Sequence, residues 1–395
     1  MSEMSSDLGN RLLRQRERLG LSQEELGHLL GQPRTVISNW ETGERRPNSA
    51  ALAKLAVVFR TPLDELLGVP GPERPALDVM LLRAAEAREL DGTATYEVER
   101  FVGFLDDYAD LLDLLNEPPG LLDAPFTIKE GFTSKEDVRR RAEEARRFLR
   151  LGPGPIGDLA SAADLAGLTI YHAPLGRDLN KTLSGAFLPH DRVGSSILVN
   201  LQTTPGRRQF TLAHEIGHAL FHGSRPYVGW VGRSEAAERF ADQFASEFLV
   251  PTATLRAVAE SLGHSRVRDA DTAVHLQRYF RVSYAMILVR LRAARLSGED
   301  DVQSMRKVQP VHVANRLGYS TSPDEWTQDP DMWGFARFPK RFLQLLARAF
   351  DEGVITLSGA AAMTGLSDLE IERALSNQDP RQTDIDDWDI LNAST

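Results

Sequence analysis

Five residues, His214-Glu215-Ile216-Gly217-His218, constrain this chain more than any other stretch. They sit in an amphipathic run, residues 207–222, whose composition predicts a helix. Positions four apart on a helix share a face, so the two imidazoles stand one turn apart and can hold a single metal ion. Glu215 lies about 100° round from His214, where it can reach a water on that ion without ligating it. A second element, Glu238-Arg-Phe-Ala-Asp242, begins twenty residues after His218. From an adjacent helix Glu238 can supply a third ligand. Asp242, one turn on, can accept the second N–H of a ligand histidine and fix its tautomer. Two histidines and one glutamate leave the fourth position of a zinc ion open to water, as a catalytic zinc site requires.

The rest of the composition narrows the setting. At 395 residues the chain is too long for one ordinary core, and two or three domains are expected. There is no cysteine, which excludes Cys-based zinc fingers, thiol nucleophiles and disulfides, and fits a reducing compartment. The first ten residues are polar, and nowhere do about 18 apolar residues run together, so neither secretion nor a membrane span is expected and the location reads as cytoplasmic. The net charge of −10 argues against a chain that coats nucleic acid along its whole length. Residues 1–60 nevertheless hold nine basic against seven acidic side chains, net +2, leaving −12 for the remainder.

Three Pro/Gly clusters punctuate the chain, at 69–75, 117–120 and 152–155. Before the first, residues 8–68 read as short helices. Between the first and third, the pattern predicts helices at Ala76–Leu90, Tyr96–Leu115 and Ser134–Leu151, the last opened by a serine with acids close behind. Then the texture changes. Asp158–Gly167 reads as helix, and Leu168–His172 and Ser196–Asn200 read as strands, with a third candidate at Gly185–Leu188. Helices follow at 207–222, 233–249, 271–280 and 283–296; residues 297–335 are polar and weakly periodic, and 338–378 return to helix. The fold class is therefore mainly α with a small β-sheet (α+β).

In the N-terminal segment, Leu21-Ser22-Gln23-Glu24-Glu25-Leu26 offers Ser22 as a cap and Glu25 to complete a capping box. Gly31 gives a tight turn before Pro33-Arg34-Thr35-Val36-Ile37-Ser38-Asn39-Trp40-Glu41. Val36, Ile37 and Trp40 fall on one side of that short helix. Arg34, Thr35, Ser38 and Asn39 fall on the other and suit base edges and phosphates. With Gly43 and Arg46-Pro47 following, these residues resemble the repressor/Cro-like (XRE) helix-turn-helix, which implies binding to a double-stranded DNA operator, as a homodimer.

Residues 208–222, Arg-Gln-Phe-Thr-Leu-Ala-His214-Glu215-Ile-Gly-His218-Ala-Leu-Phe-His222, and 238–251, Glu238-Arg-Phe-Ala-Asp242-Gln-Phe-Ala-Ser-Glu-Phe-Leu-Val-Pro, are similar to the ImmA/IrrE family of metallopeptidases. So are Leu183-Ser-Gly-Ala-Phe187 and Ile197-Leu-Val-Asn200, giving a resemblance over roughly 156–296. It implies a zincin-like HExxH domain that cleaves a repressor-type protein, with His214, His218 and Glu238 as ligands, Glu215 as general base, Asp242 behind a ligand, and zinc as the ion with manganese as its substitute. Glu235 is a rival ligand three residues earlier, and the spacing to Asp242 favours Glu238. Phe240 departs from the polar residue that many members carry.

Three further residues are candidates for the cleft. His222 extends the histidine face by a turn, Tyr171 near a strand end could donate to an oxyanion, and Asn200 could bind substrate backbone from a strand beside the metal helix. For each, packing competes with function. The expected organisation is a DNA-binding domain at 1–68, a helical connector at 69–150, the peptidase at 151–296, a linker at 297–337 and a helical domain at 338–395. The C-terminal helices look like a second helix-turn-helix, but Asp368, Glu370 and Glu372 would repel phosphate, so docking onto protein is expected; the tail from 377, with five Asp, reads as partly disordered. Two other function classes stay open: a transcription factor whose peptidase-like domain senses a ligand or partner without turnover, and an antitoxin that acts by binding.

Overall fold

The computed structural model describes residues 3–18, 21–59, 66, 92–126, 134–176, 183–222, 235–319 and 333–376. Helix α1 spans Glu3–Arg18, α2 Gln23–Leu30, α3 Arg34–Glu41 and α4 Ser49–Phe59. Local chemistry sets these boundaries. Ser22 Oγ accepts from Glu25 N at 3.1 Å while Glu25 Oε2 accepts from Ser22 N at 2.6 Å, the reciprocal capping box. Gly31 ends α2 at φ 64°, a left-handed conformation that costs glycine nothing. Leu12, Leu26, Ile37, Trp40, Leu55 and Phe59 close a small core of their own. A buried polar lock fixes the angle between the first three helices: Glu41 takes Arg16 at 2.5 Å and Gln23 Nε2 at 2.9 Å.

Helix α5 runs Gly92–Leu114 and α6 runs Lys135–Phe148, the latter capped by Ser134 and Asp137. The expected helix at Ala76–Leu90 lies outside the described residues. A short α7, Leu159–Leu165, leads into strand β1 at Thr169–Ala173. Strands β2, Gly185–His190, and β3, Gly194–Asn200, complete a three-stranded sheet of order β1-β3-β2, with β1 parallel and β2 antiparallel to the central β3. Alternation along the strands sorts the side chains onto two cores. Ile170, Phe187, Ile197 and Val199 face the main core, whereas Tyr171, Ala186, Leu188 and Leu198 face a second one. Burial on both faces is why these strands read as apolar runs.

The main core is closed by α8 (Pro205–Phe221), α9 (Glu235–Leu249), α10 (Thr252–Ser261), α11 (Ala270–Phe280) and α12 (Tyr284–Ala293). The expected linker at 297–337 is not a linker as far as residue 319. Helices α13 (Glu299–Arg306) and α14 (Pro310–Arg316) bury Val302, Met305, Val313 and Ala314 in the main core. Four inward apolar positions in two short helices give too few repeats to show as periodicity. A short α15, Trp333–Ala336, precedes α16 (Lys340–Asp351), α17 (Leu357–Thr364) and α18 (Asp368–Ser376). These C-terminal helices dock on α5, where Phe342, Leu345, Leu346, Ala360 and Ile371 meet Phe101, Phe104 and Tyr108. The connector expected at 69–150 is thus divided: α5 belongs to the second core, and Val138, Ala142 and Ala145 of α6 belong to the main one. The acidic tail from 377 lies outside the described residues.

Candidate metal centre

Helix α8 runs under the sheet and beside α9, and its crossing with α9 brings the singled-out residues together. Gly217 makes the crossing close, since a Cβ there would stand 2.8 Å from Phe244 Cδ1. His214 and His218 project from one face of α8, with their Nε2 atoms 3.2 Å apart. Glu238 reaches across from α9, placing Oε2 3.4 Å from His214 Nε2 and Oε1 3.3 Å from His218 Nε2. These three side chains form a group that could hold a metal ion. The side chain of the rival, Glu235, lies outside the described residues.

Each histidine is held from behind. Asp242 Oδ1 lies 2.9 Å from His214 Nδ1, and His222 Nδ1 lies 3.1 Å from His218 Nδ1. Both rings therefore present Nε2 to Glu238. His218 is wholly buried. Phe240 supplies the apolar wall behind it, with its ring 5.4 Å from that of His222. For His214, burial works against a charged ring. The bonds to Asp242 and Glu238, with the charge of Glu215, outweigh burial and raise its pKa to about 9.

Glu215 is buried, and it lines a cleft of about 800 Å³ together with His214, Glu238 and residues 183–185, the last of which opens β2. Gly185 permits this approach: a Cβ at that position would stand 2.5 Å from Thr211 Cγ2, 3.0 Å from Leu198 O and 3.4 Å from Glu215 Cγ. Phe210, Met286 and Val289 give the cleft an apolar side. None of these four residues was singled out by the sequence, although a glycine inside a strand pattern is a signal of close backbone approach.

Two expected cleft residues lie elsewhere. Tyr171 is fully buried on the opposite face of the sheet, its ring 4.8 Å from that of Phe104 and 5.6 Å from that of Phe338. Among the described residues its hydroxyl has no hydrogen-bond partner, so it packs and does not donate to a cleft. Asn200 sits on the central strand, with no exposed surface. Its Oδ1 accepts from Leu175 N and Gln202 N, and its Nδ2 donates to Gly176 O and Leu183 O. All its bonds go to loops flanking the sheet. His222 stands behind His218 and is not among the residues lining the cleft.

On α3, Arg34 and Thr35 are exposed and Ser38 and Asn39 are half-buried. With its amide turned to suit its neighbours, Asn39 donates to Thr35 O at 3.2 Å and Glu44 Oε2 at 3.3 Å. Among the described residues, no helix is long and apolar enough to cross a membrane.

A histidine pair and a glutamate from adjacent helices, beside a small sheet, define a metallopeptidase-type domain. Comparison with known families matches two separate parts of the chain. Residues 164–292 match the IrrE N-terminal-like domain, Peptidase_M78. Residues 12–66 match a helix-turn-helix family. The chain thus carries a DNA-binding helix-turn-helix domain followed by an IrrE-like metallopeptidase-family domain. It is also similar to the radiation response metalloprotease IrrE of Deinococcus deserti, at 44% identity over 59 residues. That match covers 15% of this chain and 18% of the relative, so the chain spans under a fifth of that protein's length.

Proposed function

We propose that this chain is a transcriptional regulator with a zinc-dependent endopeptidase domain that cleaves a repressor-type protein. The observation that carries the reading is the spacing of the donor groups: the two Nε2 atoms are 3.2 Å apart, and the Glu238 carboxylate places Oε1 3.3 Å from His218 and Oε2 3.4 Å from His214. Bonds of about 2.0–2.1 Å at tetrahedral angles put neighbouring ligand atoms about 3.3 Å apart, so His214, His218 and Glu238 fit zinc with a fourth position left over. When bound, zinc would polarise the scissile carbonyl and make a water acidic. The remaining work falls to the chain. Glu215 takes the proton of the attacking water and returns it to the leaving amine. Asp242 and His222 hold the two imidazoles so that each Nε2 faces inward. Because β2 pairs on one side only among the described residues, its outer edge offers backbone groups to an extended peptide. Phe210, Met286 and Val289 receive an apolar side chain next to the scissile bond.

In the same reading, α3 enters the major groove of operator DNA, with Arg34 and Thr35 foremost and Ser38 and Asn39 behind them, and the protein acts as a dimer in the cytoplasm. Replacing Glu215 by Gln tests the chemistry. The variant should keep about one zinc per chain, while cleavage of a repressor encoded beside its gene falls by at least about 10²-fold. An unchanged rate would remove Glu215 from the mechanism. A wild-type protein that holds zinc yet cleaves no such repressor would make the domain a sensor.

A further inference from the structure

A second cavity, of about 680 Å³, lies between α7, the first half of α8, β1 and the chain entering α16. No residue lines both it and the metal cleft, although α8 borders both. Part of its wall is apolar, from Val199, Leu212 and Leu343. Its charges are unequally satisfied. Asp158 accepts from Ser161 N at 3.0 Å and pairs with Lys340 at 3.4 Å, and Asp164 accepts from Arg341 N at 2.8 Å. Both acids are therefore engaged. Arg208 gives one N–H to Leu201 O at 2.8 Å, and no acid pairs with it among the described residues. Arg281 has no side-chain partner among them at all. It sits at φ 55°, a left-handed position where glycine is cheapest, and its guanidinium lies over Gly157, 3.9 Å from where a Cβ would stand.

Two guanidinium groups, the half-buried Arg208 and the exposed Arg281, border one open pocket with no acid paired to either among the described residues, and leave a charge that a ligand can meet. The titration of the wall agrees. Burial alone lowers the pKa of Arg208. His172, half-buried in the same wall, is pushed down to about 4 by burial first and by the Arg208 charge second. We propose that this cavity binds a small organic anion, a carboxylate or phosphate on a compact apolar body, with Arg208 and Arg281 on the oxyanion and Val199, Leu212 and Leu343 around the body. Planar guanidinium forks suit either oxyanion. A ligand there touches both α16 and the helix that carries His214, six residues beyond Arg208, so it is placed to bias the metal cleft from the C-terminal helices.

Calorimetric titration of full-length, zinc-loaded protein tests the site, with benzoate and phenyl phosphate as probes and benzamide as a neutral shape control. At least one anion should bind saturably at one site, and benzamide at least about tenfold more weakly, since a charged hydrogen bond is worth about 1.5–3 kcal/mol. Arg281→Gln should weaken that anion by at least about tenfold. Arg208→Lys, which keeps the charge and loses the fork, should weaken it too. Circular dichroism and zinc content matching wild type would show that both variants are folded. The relative affinities of the two probes decide between carboxylate and phosphate. Absence of saturable binding by either anion overturns the proposal, as does equal binding of benzamide. Affinity unchanged in both arginine variants also overturns it, because the anion then sits on the metal.

Discussion

Gly217 lies between the two histidines, where α8 crosses α9, and its replacement by alanine sets two effects against each other. Alanine is favoured over glycine inside a helix by about 1 kcal/mol, so Gly217→Ala would stabilise α8 in isolation. In the protein, the new Cβ would stand 2.8 Å from Phe244 Cδ1 and 3.3 Å from Cε1. That ring cannot swing away. It is fully buried and stacked between Phe240 and Phe248, at centroid separations of 5.9 and 5.3 Å. Relief requires the helices to part by roughly 0.6 Å, the difference between 2.8 Å and the 3.4 Å of ordinary contact. Overpacking of this kind costs about 1–3 kcal/mol, so the net effect should be a loss of about 1 kcal/mol.

The same separation falls on the ligands, because the histidines ride on α8 and Glu238 on α9. Metal sites tolerate displacements of about 0.2 Å, so zinc affinity should fall by at least about tenfold, comparable to the loss of a supporting residue. Urea denaturation of chelator-treated protein reads the packing term, and competition against a zinc chelator reads the site. A second change, Phe244→Leu, should restore both in part. A Gly217→Ala protein more stable than wild type, with unchanged zinc affinity, would falsify this account of the crossing.

Asp242→Asn should lower zinc affinity by about 10–100-fold, measured by the same competition, with little effect on folding because Asp242 is exposed. His172 has a pKa pushed down to about 4, so the folded protein favours its neutral form. Its stabilising contribution is present above about pH 6.5 and is lost as pH falls from there through 4. Denaturation midpoints across that window should therefore depend less on pH in His172→Gln, and an identical dependence would put the loss on other groups. Arg34→Ala should weaken operator binding by about 1–3 kcal/mol and reduce its salt dependence, read by fluorescence anisotropy. Equal affinity of that variant for operator would take α3 out of the interface.

Elements with local rules were legible in advance. The capping box of Ser22 and Glu25, the serine opening α6, the three strands and the helix of the histidine pair all follow from short-range chemistry that a sequence displays. The metal cluster was legible for a related reason: one turn of helix separates its histidines, and Glu238 and Asp242 repeat that spacing on a second helix. What depended on distant partners was not. Tyr171 and Asn200 look alike as polar residues near strand ends, and only strand order reveals that one faces the second core and the other is enclosed on the central strand. Helices α13 and α14 look like linker in the sequence because their polar composition hides the few apolar positions that reach the main core. Arg208 and Arg281, which border the second cavity, are 73 residues apart, and no spacing rule connects them.

The long α5 has a consequence for how the chain is made. The sheet supplies one wall around Phe101, Phe104 and Tyr108, but the other wall arrives with Phe338, Phe342 and Leu345. The bonds that tie it down join Glu97 to Arg337 and Arg100 to Thr364, which are 240 and 264 residues apart in sequence. At a synthesis rate of about 5–20 residues per second, that apolar face waits roughly 10–50 s for its cover. During the interval it is a surface for chaperones or for other nascent chains. A message truncated after residue 319 would yield every residue of the metal cluster and the whole main core, and yet leave that face open for good. Such a product should be lost to aggregation, with its catalytic residues intact.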